Sequence, residues 1–289
     1  MTRLQEEISL IQLNGLNIDC QDSGAGPVLL FLPGSYSTAA AWRPIQRLLE
    51  PRWRMVTTSL RGYGESTDSR SPDDYAMHHE VEMVEALCRH IGQPVHLVGH
   101  SFGGTVALAA ALAARVPVAS LSLFEANPID MLRSRDGDAL YQETLRMSQA
   151  FEAAVHAGEP DAPGRIIDFW GNAGAYAALP DAVKAYCRQT AAANVLDWRT
   201  VFSFNVTATD CAALQLPVLL VRGERSNAAM TSITAALQNC LPHGRPHVVE
   251  GAGHFLVSSH AAACASLLSD FLNDVTHSTR QVSRAGMTD

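Results

Sequence analysis

Residues 94–115 read PVHLVGHSFGGTVALAAALAAR, and this stretch decides the fold. It opens with a short apolar run, Val95 to Val98, and turns at Ser101 between Gly99 and the pair Gly103-Gly104. It then continues into an Ala/Leu-rich segment whose composition predicts a helix. A strand that reverses directly into a helix forces the residue at the tip into a strained backbone conformation, and side chains on its neighbours would clash. A serine held there stands exposed, with the free N–H groups of the helix's first turn aimed at whatever it attacks. The plain alternative is a glycine-rich turn around a buried serine.

The flanking sequence supplies a sheet for this turn. VLLFL (28–32), bounded by Pro33-Gly34, has the unbroken apolar character of a strand buried on both faces of a parallel sheet. ISLIQL, Asn14-Gly15 and LNIDCQ predict a hairpin at the start. MVTTSL (55–60) predicts a strand that runs into the turn RGYGES (61–66), while ASLSLFE (119–125), PVLLVRGE (217–224) and HVVEGAGH (247–254) predict further strands and their loops. Between 79 and 91 the spacing turns helical, with Val81, Val84, Leu87, Cys88 and Ile91 on one face and Gly92 at the stop; His78 and His79 start this helix on the surface. A closing helix is expected from about Ser259 to Val275, followed by a disordered tail, 277–289. Strands alternating with helices predict an α/β, doubly wound, mostly parallel sheet. Residues 1–126 and 211–276 form its core, and 127–210, helical in composition and without a buried strand, form an inserted helical cap.

Composition narrows the function. The 289 residues carry 21 Lys+Arg against 29 Asp+Glu, a net charge of −8, and 47% of them are hydrophobic. That is ample apolar material for a core, and it argues against a disordered chain. An acidic chain without a basic run is not built to neutralise phosphates, so no nucleic-acid partner is expected. The first ten residues are mostly polar or charged, and the longest apolar run, around Val106 to Ala114, is too short to span a bilayer; no membrane association is expected. Six scattered cysteines without CxxC or Cys/His spacing read as reduced core thiols in a cytoplasmic protein. No dinucleotide or phosphate-loop fingerprint and no metal set is present, so the expected partner is a small-molecule substrate, with no cofactor and no metal. Oligomeric state is not readable from the sequence.

GHSFGG, RGYGES and GAGHF together resemble the α/β-hydrolase-fold family, in particular its serine-nucleophile, esterase- or lipase-like members, over roughly residues 8–275. The resemblance implies an eight-stranded sheet with a cap inserted after the sixth strand, and a nucleophile, an acid and a histidine in that chain order. Ser101 is the nucleophile and His254, in GAGHF, the histidine. A serine hydroxyl needs a base to take its proton, and histidine titrates in the right range. His100, beside the nucleophile, is expected to point elsewhere by alternation. Relatives commonly place the acid in a GExD-like loop, but here Gly223-Glu224-Arg225-Ser226-Asn227 puts Ser226 at that position. Other family members, haloalkane dehalogenases among them, carry the acid at the end of the sixth strand, where this chain has Glu125 in SLFEANP. Glu125 is therefore the expected acid, with capping of the insert or pairing to an arginine as its other reading and Glu224 and Asp130 as lesser candidates. The oxyanion donors implied are the backbone N–H groups of Phe102 and Ser35, although Pro33 stands where most relatives have a loop-supporting histidine. Ser37 and Thr38 are expected at the pocket rim, and Arg61 as a buttress between loops.

Tyr36, Phe169, Trp170, Tyr176 and Phe255 are the expected pocket wall, with packing of cap on core as the competing reading. The chemistry this predicts is cofactor-independent hydrolysis of a small or medium apolar carboxylic ester, or a lactone or thioester, through an acyl-enzyme on Ser101. The alternatives are a C–C bond hydrolase or lyase with the same triad, and a non-catalytic ligand-binding protein, which Ser226 alone favours. Epoxide hydrolase and haloalkane dehalogenase chemistry calls for a carboxylate at the elbow and is disfavoured by Ser101.

Overall fold

The unbroken apolar runs form the middle of the sheet. In the computed structural model, which describes residues 8–285 apart from 14 and 134–137, the strands are β1 (Ile8–Leu13), β2 (Leu16–Ser23), β3 (Val28–Leu32), β4 (Arg54–Thr57), β5 (Val95–His100), β6 (Val118–Phe124), β7 (Val218–Gly223) and β8 (Gly244–Val249). Their order in the single sheet is β1-β2-β4-β3-β5-β6-β7-β8. β3 to β8 pair in parallel, while β1 and β2 form an antiparallel hairpin whose register closes at Leu13 opposite Leu16. Asn14 of the predicted turn lies outside the described residues; Gly15 takes the positive φ, 80°, that such turns require. All five residues of β3 and all six of β5 are buried, because these strands have layers on both sides. Val28, Leu30 and Leu32 face one core and Leu29 and Phe31 the other, the two-residue alternation of a strand. The edge strand β8 is mostly exposed and carries Pro246, which only an edge tolerates.

Helices fill both faces: α1 (Arg43–Gln46), α2 (His78–Ile91), α3 (Phe102–Ala113), α4 (Asp138–His156), α5 (Pro163–Trp170), α6 (Asp181–Gln189), α7 (Ala191–Ser203), α8 (Ala208–Ala213), α9 (Ala228–Cys240), α10 (Leu256–Ser259) and α11 (Ala261–Ala285). The apolar face of α2 is buried as its spacing predicts, and Gly92 ends it in the left-handed region. Its first turn is not on the surface throughout, since His79 and Glu80 are buried beneath the loop of Arg61 and Arg70 while His78 is exposed. Among the described residues, no strand lies between β6 and β7; the chain there is a group of helices in which α4 packs on α5 and α7. α11 does not stop near Val275. It runs to Ala285, so the tail expected to be disordered from 277 is helical that far, because no glycine or proline interrupts the sequence before Gly286. Residues 286–289 of that tail lie outside the described residues. None of the six cysteines forms a disulfide. No described helix is long and apolar enough to cross a membrane.

Candidate active site

The site forms where β5, β6 and β7 end together. Ser101 sits between β5 and α3 with φ 53° and ψ −123°, a strained conformation for a residue with a side chain. Glycine is needed around it: a Cβ on Gly103 would collide with the carbonyl oxygens of Leu32 and Pro33, and one on Gly99 with the backbone of Gly103 and Gly104. The tight reversal leaves Ser101 at the mouth of a cavity and the first N–H groups of α3 free of helical partners.

His254, on the loop after β8, reaches Ser101 Oγ with Nε2 at 3.0 Å. Its Nδ1 lies 3.0 Å from Glu125 Oε2, on the residue just after β6. Ser101, His254 and Glu125 are all buried. Glu125 also takes a positive φ, 52°, which turns its side chain sideways toward the histidine. Ser226, at the position where relatives carry the acid, donates its hydroxyl to Glu125 Oε1 at 2.5 Å, and the Gly223 N–H donates to the same oxygen at 2.6 Å. Burial alone would raise the Glu125 pKa, but His254, Ser226 and Gly223 together outweigh it and hold the carboxyl below its ordinary value. The other acids do not reach the histidine. Glu224 accepts the Gly251 N–H at 2.8 Å, and Asp130 pairs with Arg133 at 2.9 Å.

His100 contributes more than alternation predicted. Its Nε2 lies 2.9 Å from the backbone oxygen of His254, and the two rings pack 5.2 Å apart. Burial first, and the nearby His254 second, push its pKa down to about 4. The ring is therefore neutral at pH 7, and because a carbonyl only accepts, its proton resides on Nε2. It steadies the backbone of the histidine that faces Ser101.

The Pro33–Tyr36 loop closes the other side. A Cβ on Gly34 would stand 3.1 Å from Ser101 Cβ, so this backbone is pressed against the elbow and Ser35 lies beside the nucleophile. Tyr36 takes φ 59°, which for a bulky residue costs on the order of 1–3 kcal/mol. Ser35 Oγ donates to Asp197 Oδ2 at 2.5 Å. Asp197 comes from α7, 162 positions later in the chain, and no local pattern marks it. Burial raises its pKa against the opposing effect of Arg70 and its hydrogen bonds. Nearby, Glu80 is buried beside Arg70 at 3.3 Å, and burial pushes its pKa up to about 7 despite that pair.

The cavity at Ser101 has a volume of about 40 Å³. Tyr36, Trp170 and Phe255 line it, as the sequence predicts, together with Ser35, Phe102 and the predicted relay residues Ser101 and His254. Phe169 and Tyr176 do not. At about 100° per residue, Ile166, Ile167 and Trp170 share one arc of α5 and Phe169 falls outside it. That arc faces the cavity, and Phe169 packs edge-on against Trp170 with its carbonyl held by Asn227. Tyr176 packs beneath Gly164 and donates its hydroxyl to Asp161 at 3.1 Å. Asn127, Asp197, Trp198 and Val201 complete the wall and were not predicted. Thr38 accepts the Ala40 N–H in a local cap, and Arg61 ties the His79 and Thr67 carbonyls, the buttress expected of it. The one described trio with potential metal-ligand atoms close together, Asp74, His78 and His79, lies at the start of α2; there His79 already pairs with Asp74 at 3.0 Å and with Ser69.

The arrangement can activate a hydroxyl, and comparison with known proteins places it in context. The model of the alpha/beta hydrolase family matches residues 29–267. Fluoroacetate dehalogenase of Burkholderia sp is 26% identical over 300 residues, covering 96% of this chain and 97% of that protein. Epoxide hydrolase 2 of Siraitia grosvenorii is 34% identical over 103 residues, 35% of this chain; the match spans about a third of that relative, 33%. Among solved structures, the bromoperoxidase of Bacillus anthracis aligns with a TM-score of 0.74 at 20% identity, covering 92% of this chain and 100% of that one, a likeness of fold.

Proposed function

The chain belongs to the alpha/beta hydrolase family, and from that premise we propose that it is a cofactor-independent serine hydrolase of small or medium apolar carboxylic esters. Ser101 Oγ attacks the ester carbonyl while His254 Nε2 takes its proton and then returns it to the leaving alcohol. Glu125 keeps the Nδ1 proton in place and offsets the charge of the imidazolium. The Ser35 and Phe102 N–H groups receive the oxyanion, where loss of one donor costs on the order of 10²–10³ in rate. Water, activated by the same histidine, releases the acyl group from Ser101.

The observation that carries this reading is the relay itself, with 3.0 Å between Ser101 Oγ and His254 Nε2 and 3.0 Å between His254 Nδ1 and Glu125 Oε2. Ser226 counts for catalysis here, since it bonds to the acid it stands in for. The hydroxyl also separates this chain from the chemistry named in its two relatives. Displacement at a saturated carbon by a carboxylate leaves an ester that water can cleave at its carbonyl, whereas the same step on Ser101 would leave an ether with no carbonyl to attack. The apolar wall of Ile166, Ile167, Trp198 and Val201 suits an apolar acyl group. At about 40 Å³ the cavity is far below the roughly 300–1,000 Å³ of ligand pockets, so the substrate enters by displacing side chains of the cavity wall.

Incubation with a fluorophosphonate followed by peptide mapping tests the reading. A stoichiometric adduct on Ser101, absent in Ser101→Ala and strongly slowed in His254→Ala, is the expected result. No adduct under conditions that label a control serine hydrolase overturns it in favour of a ligand-binding protein.

A further inference from the structure

We propose that Asp197, on the cap helix α7, is the positioning residue for the second oxyanion donor, the N–H of Ser35. This rests on the acyl-enzyme reading above and assigns the cap a part in the rate, beyond substrate selection.

The oxyanion loop does not hold its shape by preference. Tyr36 sits at φ 59°, a conformation bulky residues avoid, and Gly34 is pressed against Ser101 so closely that a small shift of the loop re-aims the Ser35 N–H. Pro33 offers no side-chain donor to brace it. The brace comes from across the cavity. Asp197 Oδ2 accepts the Ser35 hydroxyl at 2.5 Å and the Tyr63 hydroxyl at 2.6 Å, and the Tyr63 ring meets Tyr36 edge-on with centroids 6.5 Å apart. One carboxylate oxygen therefore fixes Ser35 directly and Tyr36 through Tyr63.

A carboxylate on the cavity wall would by itself oppose a developing oxyanion. Arg70 answers this: its Nη1 donates to Asp197 Oδ1 at 2.7 Å, and its Nε and Nη2 are held by Asp68 at 2.9 Å each. Arg70 has a fully buried side chain, and Asp197 is almost as deeply buried, so the pair is rigid and shielded from solvent. The cap helix thus carries a fixed acceptor whose other oxygen is already held by a guanidinium before substrate arrives, the preorganisation an oxyanion site requires.

The test is a double-mutant cycle in the full chain with Asp197→Asn, Ser35→Ala and the two combined, measured as kcat and KM on short p-nitrophenyl esters and as the rate of Ser101 phosphonylation. Ser35→Ala keeps the backbone N–H. Each single variant is expected to lower kcat 10- to 100-fold with KM changed less than threefold, and the double variant to be no slower than the slower single one, because both cut one strap. Ser35→Thr, which retains a hydroxyl, restores most of the loss. Thermal unfolding separates the folded variants from collapsed ones, and should Asp197→Asn fail to fold, the Ser35→Ala and Ser35→Thr pair decides. Multiplying effects in the double variant, a change in KM alone, or wild-type kcat in Ser35→Ala overturns the proposal while leaving the serine-hydrolase reading intact. A wild-type chain that neither turns over ester nor takes the fluorophosphonate overturns both.

Discussion

Replacing Glu125 with glutamine tests the relay at its least familiar member. The carboxylate has two jobs on two oxygens: Oε2 faces His254 Nδ1, and Oε1 accepts from the Gly223 N–H and the Ser226 hydroxyl. In Glu125→Gln one of those atoms becomes an NH2 group. The Ser226 hydroxyl can rotate to suit either orientation, but the Gly223 N–H is a buried backbone donor 2.6 Å away and must have an acceptor. The amide oxygen therefore faces Gly223, and the NH2 faces His254. Nδ1 must then accept, so the ring's proton moves to Nε2, where it points at Ser101 and the base is lost. The same tautomer error in serine proteases costs ~10⁴ in turnover, a barrier increase on the order of 5 kcal/mol. Steady-state hydrolysis of p-nitrophenyl acetate and butyrate at pH 7.5 reads it directly, with KM little changed. A variant within tenfold of wild-type kcat would refute this reasoning, since it would mean His254 keeps its proton on Nδ1 without a carboxylate.

Three further outcomes follow from the same geometry. Ser226→Asp places a second carboxylate where a hydroxyl now lies 2.5 Å from Glu125, and two such charges cannot both ionise there; the acid limb of its pH–rate profile moves to higher pH, and an unmoved limb counts against the placement. Burial pushes the pKa of both His96 and His100 down to about 4, against about 6.5 unfolded, so the unfolded chain binds more protons and stability falls with acidity. Their contribution is complete above about pH 6.5 and is lost as pH drops toward 4, roughly 2 kcal/mol per ring between pH 7.5 and 5; urea unfolding at those two values checks it, and equal midpoints would sink it. Ile167→Ala enlarges the cavity at the acyl wall, so kcat/KM for a hexanoyl ester rises relative to the acetyl ester by about tenfold, in line with 1–3 kcal/mol per methylene-sized change; an unchanged ratio in a chain-length series places the acyl group elsewhere.

Most of the sheet was legible because its strands are contiguous and locally patterned. VLLFL, SLSLF and VLLV are short apolar runs set off by turn residues, the pattern of buried strands, and GHSFGG specifies its turn through glycines whose hydrogens already touch neighbouring backbone. Ser101, His254 and Glu125 were readable from the resemblance, and their meeting is a matter of neighbouring strand ends. Ser226 looked like a missing acid because its value depends on a partner 101 positions away. Asp197 had no sequence signal at all: an aspartate within a helix reads as a solvated charge until the loop it braces is placed against it. Tyr176 lies in the turns beyond α5, where there is no helical phase to read, and Phe169 failed for another reason. Eight residues of α5 are two turns, too few to fix the phase of the helix, and only the packed cap decides which aromatic faces the cavity. The length of α11 shows the limit of reading disorder from polarity, since nothing in 277–285 breaks a helix.

Glu125 is where the chain leaves β6 for the helices that precede β7, and the departure point is pinned. Its N–H donates to the Val221 carbonyl at 2.8 Å, and two residues on, Asn127 exchanges hydrogen bonds with the Thr105 hydroxyl at 2.9 and 3.1 Å. For recombination this makes a natural splice site. Helices borrowed from a relative can be joined after Asn127 and leave Ser101, His254 and Glu125 untouched, whereas a join at Glu125 exchanges one of the three. On the proposed function, substrate choice can thus be exchanged as a cassette, provided the crossover respects this three-residue anchor and the borrowed helices keep a carboxylate opposite Ser35, where Asp197 stands.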